Sequence, residues 1–508
     1  MITRLKVNGF KNLVNVDVRF GAFTCIAGLN GTGKSNLFDA IHFLSLLSEK
    51  TLIEAALSVR DEEGKSGDIQ SLFHRASGSY GKQMDFEVEM IVPESGVDDY
   101  GQDVYAAWTF LRYKLSLGYR ASESIGRITL EVLNEELERI PKEAVKLLLF
   151  PKKVEWVNSV VKGSKSTLQN YLTTVDNADD KLRKVSLRQD TGGRSDGITH
   201  KRGNPTTIPA ANLPRTVLSS INSAERPTVL MAKREMQSWR QLRLEPSALR
   251  RPDRFPELMS TQTVTLDVDG GHLPATLYRL SQRTDGEEIK SGIRNRLSVL
   301  LGEMITIEID VDHMRQQISL SAKWRDGTTL PARSLSEGTL RFLALAVLEH
   351  DPEVRGVICL EEPENGIHPG RVKEMIALLR QIAMDTSLPI GNDNPPRQII
   401  INTHSPNVVK LMEDDSILLA ESRETIYEGQ RTNRVAFSCV SGTWRSGISG
   451  AECVSKGKLF DYLNPEPMEN EPQKDIIPDK KDDVRKPKLM KYRTDLLTLS
   501  LPYEDFHA

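Results

Sequence analysis

Cysteine is scarce and scattered in this chain. Cys25, Cys359, Cys439 and Cys453 form no CxxC pair, which argues against a zinc site or a disulfide framework and fits a reducing cytoplasm. Long apolar runs are missing as well. The N-terminus lacks a charged segment followed by an apolar one, so neither a membrane span nor an export signal is expected. A charge bias is also absent: 67 Lys and Arg against 70 Asp and Glu leave a net charge of −3, which gives no pointer to nucleic acid. What is present is a soluble composition, 39% hydrophobic and 27% charged over 508 residues, with room for two or three domains. Cys25 and Cys359 fall in apolar runs, where a small buried thiol is expected.

Residues 2–7 and 14–20 alternate apolar and polar, and 23–27 is a short apolar run. This predicts two antiparallel strands and then a buried strand. After a glycine loop, Leu37, Ile41, Leu44 and Leu47 share one helical face. Further strands are expected at 84–93 and 108–119, making 1–120 a mixed α/β lobe. From 121 to 300 the texture changes: 128–149 reads as helix, and 163–212 is rich in Ser, Thr, Asn, Gly and Asp. The expectation is an inserted, partly helical arm or lid without the heptads of an extended coiled coil. Between Lys181 and Arg254 it carries sixteen Lys and Arg against six Asp and Glu.

A second lobe, 301–430, opens with a hairpin over 305–311 and 317–323 and an Asp326-Gly327 turn. A helix over 337–350 follows, then a buried strand at 356–360. Another helix carries Val372, Met375, Ile376, Leu379 and Ile382, and a further buried strand lies at 398–402. Strands alternating with helices imply a largely parallel sheet with its ligand at the strand C-terminal ends. The remainder, 431–508, is expected to be an extension. Within it 464–488 reads as a disordered linker rich in Pro, Asp and Lys, and 489–506 as a short docking segment.

Residues 28–35 read GLNGTGKS and match GxxxxGK[ST]. Glycines let such a loop wrap its backbone N–H groups around phosphates. Lys34 would reach the β- and γ-phosphates of a nucleotide, and Ser35 would ligate Mg²⁺. Gly28, Asn30, Gly31, Gly33, Lys34, Ser35 and Asn36 are therefore the nucleotide-binding candidates. An apolar strand before the loop and an amphipathic helix after it set it apart from a glycine-rich turn with an exposed lysine. Residues 357–362, VICLEE, form an apolar strand ending in two carboxylates, which are expected to be buried and to need a cation. Glu361 is the Mg²⁺ candidate, and Glu362 the base or orienter of an attacking water. The other reading is an acidic helix start before Pro363. His404, after another buried strand, either senses a γ-phosphate or is a satisfied structural histidine. In 334–341, SLSEGTLR, Ser336 is a good N-cap, and the amides of the helix start behind it suit an anion or belong simply to an ordinary cap.

In that order these segments resemble the ABC-type ATPase heads of the SMC/RecF-like and OLD-like ATPases, AAA family ATP-binding proteins of the AAA_21 type. The likeness covers roughly 1–120 and 260–425. It implies an α/β P-loop NTPase fold, with a mixed sheet and a largely α-helical insert. It also implies a Walker A loop at 28–35, Walker B at 357–362, a D-loop at 364–368 and a switch histidine at His404. Ser336 and Gly338 then contact the γ-phosphate held by another copy. The expected molecule is a homodimer or higher oligomer with ATP and Mg²⁺ sandwiched between heads, hydrolysing ATP to ADP and phosphate. Bacterial relatives often work beside a nuclease in phage defence or DNA repair. Here 410–508 carries neither a carboxylate constellation of TOPRIM kind nor an HNH-like histidine cluster, so a nuclease or effector is expected as a separate subunit.

Two departures stand out. Glu361 replaces the usual aspartate, and no Q-loop glutamine is evident, Gln70 and Gln83 being weak candidates. A long insert, and Glu-Gly-Thr after Ser336, weigh against the motor of a membrane transporter. Arg188, Arg194, Lys201, Arg202, Lys233, Arg234, Arg240, Arg243, Arg250 and Arg251 either track a DNA backbone or form an ion-paired solvated face. Trp239 would stack on a base or pack. A DNA-repair ATPase without a nuclease, and an assembly module with little turnover, are the alternatives to an ATP-driven DNA clamp.

Overall fold

The computed structural model describes residues 1–59, 69–121, 128–163, 170–176, 183–190, 205–210, 213–254, 264–301 and 304–463. The chain divides into Met1–Asn464 and Pro465–Ala508. The linker expected at 464–488 and the docking segment at 489–506 lie outside the described residues.

A seven-stranded sheet forms the centre. Its order is Arg240–Leu242, Gly356–Glu361, Arg397–Thr403, Phe23–Ala27, Ile417–Tyr427, Gln430–Val440 and Cys453–Val454. The first five run parallel, the sixth pairs antiparallel to the fifth, and the last pairs parallel to the sixth. Burial follows from that arrangement. Every residue of Arg397–Thr403 is buried, as parallel strands covered on both faces require. Helices Lys34–Leu47, Glu337–His350 and Val372–Ile382 lie at the expected positions and bury Leu37, Leu44, Leu343, Met375 and Leu379. The α/β P-loop fold read from the sequence is present.

A second sheet, eight-stranded and antiparallel, runs in the order Thr206–Pro209, Arg183–Leu187, Asn170–Asp176, Ile128–Arg139, Phe110–Ala121, Gln83–Ile91, Ile2–Asn8 and Val16–Arg19. Three sequence expectations change here. The helix over 128–149 is a strand at Ile128–Arg139 followed by a 3₁₀ turn at Lys142–Leu147. Leu130, Val132 and Leu137 are buried, and a bulge between Val132 and Asn134 shifts the alternation by one residue. That single extra residue disguises a period of two as a helical spacing. The boundary at 120 cuts a hairpin, because Phe110–Ala121 pairs along its length with Ile128–Arg139. The segment 121–300 is also not one insert: its first part widens this sheet, whereas Arg240–Leu242 returns to the central sheet. Among the described residues its longer helices, Pro227–Gln237, Leu273–Ser281 and Gly286–Leu301, all lie in the second half, whereas the first half carries the seven-residue helix Val154–Val160.

The hairpin expected near 305–323 is Met304–Asp312 with Gln317–Trp324, and Thr329–Pro331 adds a strand after the turn, where Gly327 has φ +85°. Among the described residues, no helix is long and apolar enough to cross a membrane.

Candidate functional site

The site lies where the parallel strands end. Phe23–Ala27 delivers the chain into the 28–35 loop, and helix Lys34–Leu47 leaves it. Two glycines are dictated by their surroundings. A Cβ on Gly28 would sit 2.5 Å from the Ala420 carbonyl oxygen. Gly33 has φ +97°, and a Cβ there would meet Asn12 Nδ2 at 2.0 Å. Asn12 works as a brace: its Nδ2 donates to the Thr32 carbonyl at 3.2 Å, and its Oδ1 accepts from Asn36 Nδ2 at 2.8 Å. The Lys34 ammonium donates to the Gly28 and Leu29 carbonyls at 2.7 and 2.9 Å. Burial pulls its pKa below the usual lysine value, opposed by the charges of Glu362, Glu361 and Glu364. Asn30 and Gly31 lie exposed on the loop, and a Cβ on Gly31 would meet nothing within 4 Å.

Opposite the loop stand the carboxylates. Ser35 Oγ donates to Glu361 Oε2 at 2.8 Å, so two residues 326 positions apart meet. Gln241 Nε2 donates to Glu361 Oε1 at 2.8 Å, while Gln241 Oε1 is buried without a partner. The two carboxylates are not buried as a pair: Glu361 is exposed and Glu362 only half-buried, because the strand end opens toward the loop. A hydroxyl, a carboxylate and an orphaned amide oxygen make a hard, all-oxygen donor set that fits Mg²⁺. Among the described residues, no group of three or more His, Cys, Asp or Glu that could hold a metal ion is present.

Glu362 takes a left-handed backbone, φ 45°, that costs energy for a residue with a Cβ. Its N–H is held by the Asn402 backbone oxygen at 3.0 Å and by Asn402 Oδ1 at 3.1 Å. Its carboxylate is gripped at both ends, by His404 Nδ1 at 2.6 Å and by Asn365 Nδ2 at 2.7 Å. Next to it, the Thr403 hydroxyl donates to Glu364, whose pKa burial raises above the usual carboxylate value.

Ser336 caps helix Glu337–His350, its Oγ accepting from Thr339 N at 3.2 Å. Gly338 is buried, and a Cβ there would meet the Gly366 carbonyl oxygen at 2.6 Å. Arg341 Nη1 donates to the Asn365 carbonyl at 2.7 Å, and Arg250 Nη2 to the Leu335 carbonyl at 3.1 Å. Segment 334–341 is thus fastened to 364–368 through Arg341. Among the described residues, no hydrogen bond joins Ser336 or Gly338 to residues 28–35.

The basic patch breaks up in the fold. Arg194, Lys201 and Arg202 lie outside the described residues. Lys233 is buried and donates to Ile221 and Asn222, Arg234 pairs with Asp99, and Arg240 donates to the Leu266 carbonyl. Trp239 is 2% exposed, and its indole N–H donates to Glu235 at 3.0 Å, which excludes base stacking. Arg188, Arg243 and Arg251 are exposed.

Sequence reasoning missed Gln241 and Asn12. No signal marked Gln241: its strand, Arg240–Leu242, is three residues long and two of them are polar, so no apolar run reads as a core strand. Gln83, offered as a Q-loop candidate, instead donates to Asp85 at 2.6 Å.

Residues 233–410 match the family described as "AAA domain, putative AbiEii toxin, Type IV TA system". The DNA replication and repair protein RecF of Porphyromonas gingivalis, strains ATCC 33277 and W83, is 35% identical over 79 residues, 15% of this chain and 21% of each relative. The chain thus spans about a fifth of the length of these relatives. Solved structures that align with it include an SmcHead bound to the C-winged helix domain of ScpA (14% identity, 86% of this chain and 98% of that chain, TM-score 0.41). Another is the Pyrococcus furiosus Smc head domain bound to the C-terminal domain of ScpA (11%, 86% and 96%, 0.39). The chain thus has a P-loop α/β fold in which residues 233–410 are similar to an AAA domain and a 79-residue stretch is similar to RecF.

Proposed function

We propose that this chain binds ATP with Mg²⁺ on the 28–35 loop and hydrolyses it, two copies closing head to head around the nucleotide. The observation that carries the reading is the convergence of Ser35, Glu361 and Gln241 beside the clamped Glu362–His404 pair. Lys34 and the loop amides bind the β- and γ-phosphates. Ser35, Glu361 and Gln241 would hold Mg²⁺, which when bound supplies positive charge against the phosphate oxygens. Glu362 orients the attacking water and accepts its proton, with His404 Nδ1 and Asn365 Nδ2 fixing the carboxylate in one rotamer. The exposed Ser336 cap and the amides behind it meet the γ-phosphate held by a second copy. That assignment is supported by the lack of any bond from this segment to its own loop among the described residues.

The role of closure is to sense or clamp DNA, and through it to control a separate nuclease or effector subunit, as in phage defence. The RecF likeness supports the DNA part and equally favours a repair ATPase acting without a nuclease. Turnover by the full chain should fall on the order of 10²–10⁴-fold in Glu362→Gln, with ATP-dependent dimers accumulating in light scattering. Turnover unchanged by that substitution would remove Glu362 from the mechanism.

A further inference from the structure

Cys439 and Cys453 are fourteen residues apart in sequence and side by side in the fold. They are register partners in the parallel pair Gln430–Val440 and Cys453–Val454, and their sulfurs lie 3.1 Å apart. Hydrogen-bonded neighbouring strands run about 4.8 Å apart, inside the Cα separation that a disulfide spans. The sulfurs need close by only about 1 Å to reach bonding distance. Backbone bonds on either side, Cys439 N to the Glu452 carbonyl at 2.8 Å and Ser441 N to the Val454 carbonyl at 2.9 Å, hold the pair in register. Exposure differs between the two: Cys453 is exposed on the last strand of the sheet, whereas Cys439 is 3% exposed. A cavity of about 100 Å³ reaches Cys439 and is lined by Arg434, Arg445 and Glu452. That volume exceeds the roughly 30 Å³ share of one water molecule, so a small oxidant fits.

We propose that Cys439 and Cys453 are an oxidation site that closes to a disulfide on contact with a hydroperoxide. The Cys453 thiol loses its proton to solvent and its sulfur attacks the peroxide. The O–O bond breaks, leaving a sulfenic acid and, from hydrogen peroxide, hydroxide that takes up a proton. The Cys439 sulfur then attacks Cys453. The S–S bond forms, the S–O bond breaks, and the departing hydroxide leaves as water with the Cys439 proton. The two sulfurs lose two electrons and the peroxide gains them. In a reducing compartment such a bond is transient, the usual character of redox-sensing pairs.

The pair also sits where a covalent tie has consequences. Two residues beyond the strand, helix Lys456–Leu463 begins, and Lys458 pairs with Glu421 at 2.5 Å. Tyr462 of this helix packs against the core cluster that includes Cys25 and Ala27, the strand feeding the phosphate loop. Its hydroxyl oxygen is buried without a hydrogen-bond partner, and burial pushes its pKa up to about 12. The disulfide would fasten this strap against the loop, a consequence that rests on the nucleotide reading given above.

The test treats the full chain with hydrogen peroxide, alkylates remaining thiols and maps peptides without reduction. A Cys439–Cys453 peptide reversed by dithiothreitol is expected, with Cys25 and Cys359 alkylated only after unfolding because both are buried. Cys439→Ser should leave a Cys453 sulfenic acid that dimedone traps. A Cys453 that stays reduced, or that links only to Cys453 of a second copy, overturns the site. Binding of a fluorescent ATP analogue should shift severalfold between oxidised and reduced wild type and stay constant in Cys453→Ser. An unchanged affinity overturns the coupling to the loop, whereas no binding in either state counts against the nucleotide reading and leaves the oxidation site standing.

Discussion

At the proposed nucleotide site Gln241 and Gly33 act in opposite ways, one by what it offers and the other by what it omits. Gln241 turns one amide atom to Glu361 and leaves its oxygen buried and unpaired, so Gln241→Ala removes both an orienting bond and a candidate ligand. Partners of metal ligands typically contribute 10–100-fold to metal affinity, and Mg²⁺-dependent ATP affinity should fall by about that factor. A titration of affinity against Mg²⁺ checks it; a loss equal with and without the metal would mean that Gln241 only packs. Gly33→Ala introduces a Cβ onto a left-handed backbone against the Asn12 brace. The backbone cost alone is roughly 1–2 kcal/mol, so ATP binding should be lost while thermal unfolding shifts little.

At the scale of elements, Asp190 joins the eight-stranded sheet to helix Pro227–Gln237. Its Oδ2 accepts from Thr228 N at 3.3 Å and from the Thr228 hydroxyl, and its other oxygen is buried without a partner. Burial, only partly offset by those bonds, pushes its pKa from 3.8 up to about 6. The folded value lies above the unfolded one, so the stability this carboxyl contributes is fully present below about pH 4 and is lost as pH rises through about 6. Asp190→Asn, which keeps one acceptor, should match wild type near pH 4 and exceed it by on the order of 2–3 kcal/mol above pH 7. Urea denaturation at the two pH values decides it, and equal stabilities at both would mean that the site is not desolvated.

These elements also mark what sequence could and could not reveal. The phosphate loop, Glu361, Glu362 and Ser336 were legible because each sits in a contiguous motif flanked by a strong strand or helix pattern. Ile128–Arg139 was not, since its bulge breaks the alternation. Asn12, Gln241 and the Cys439–Cys453 contact were not either, because pairing across strands leaves no local spacing to read.

For the molecule as a whole, the composite site proposed above would make two defective chains complementary. Lys34→Ala spoils the loop and Ser336→Arg spoils the surface offered to a second copy, so each should be inactive alone. Mixed in equal amounts, random pairing should restore roughly a quarter of wild-type turnover through the one intact site of each mixed dimer. No recovery, despite mixed dimers seen by native mass spectrometry, would sink the shared-site reading. The surviving surface arginines give a separate check. Charge reversal at Arg188, Arg243 and Arg251 together should weaken DNA binding and flatten its salt dependence by about three counterions, whereas an unchanged slope removes them as phosphate contacts. One feature of the central sheet reaches into how the chain is made. Phe23–Ala27 is synthesised long before both its neighbours, Arg397–Thr403 and Ile417–Tyr427. At ordinary synthesis rates that strand waits roughly 20–75 s for its first partner. An apolar edge left unpaired for so long invites mispairing, and the phosphate loop can take its final shape only after the strands on both sides of it have been made.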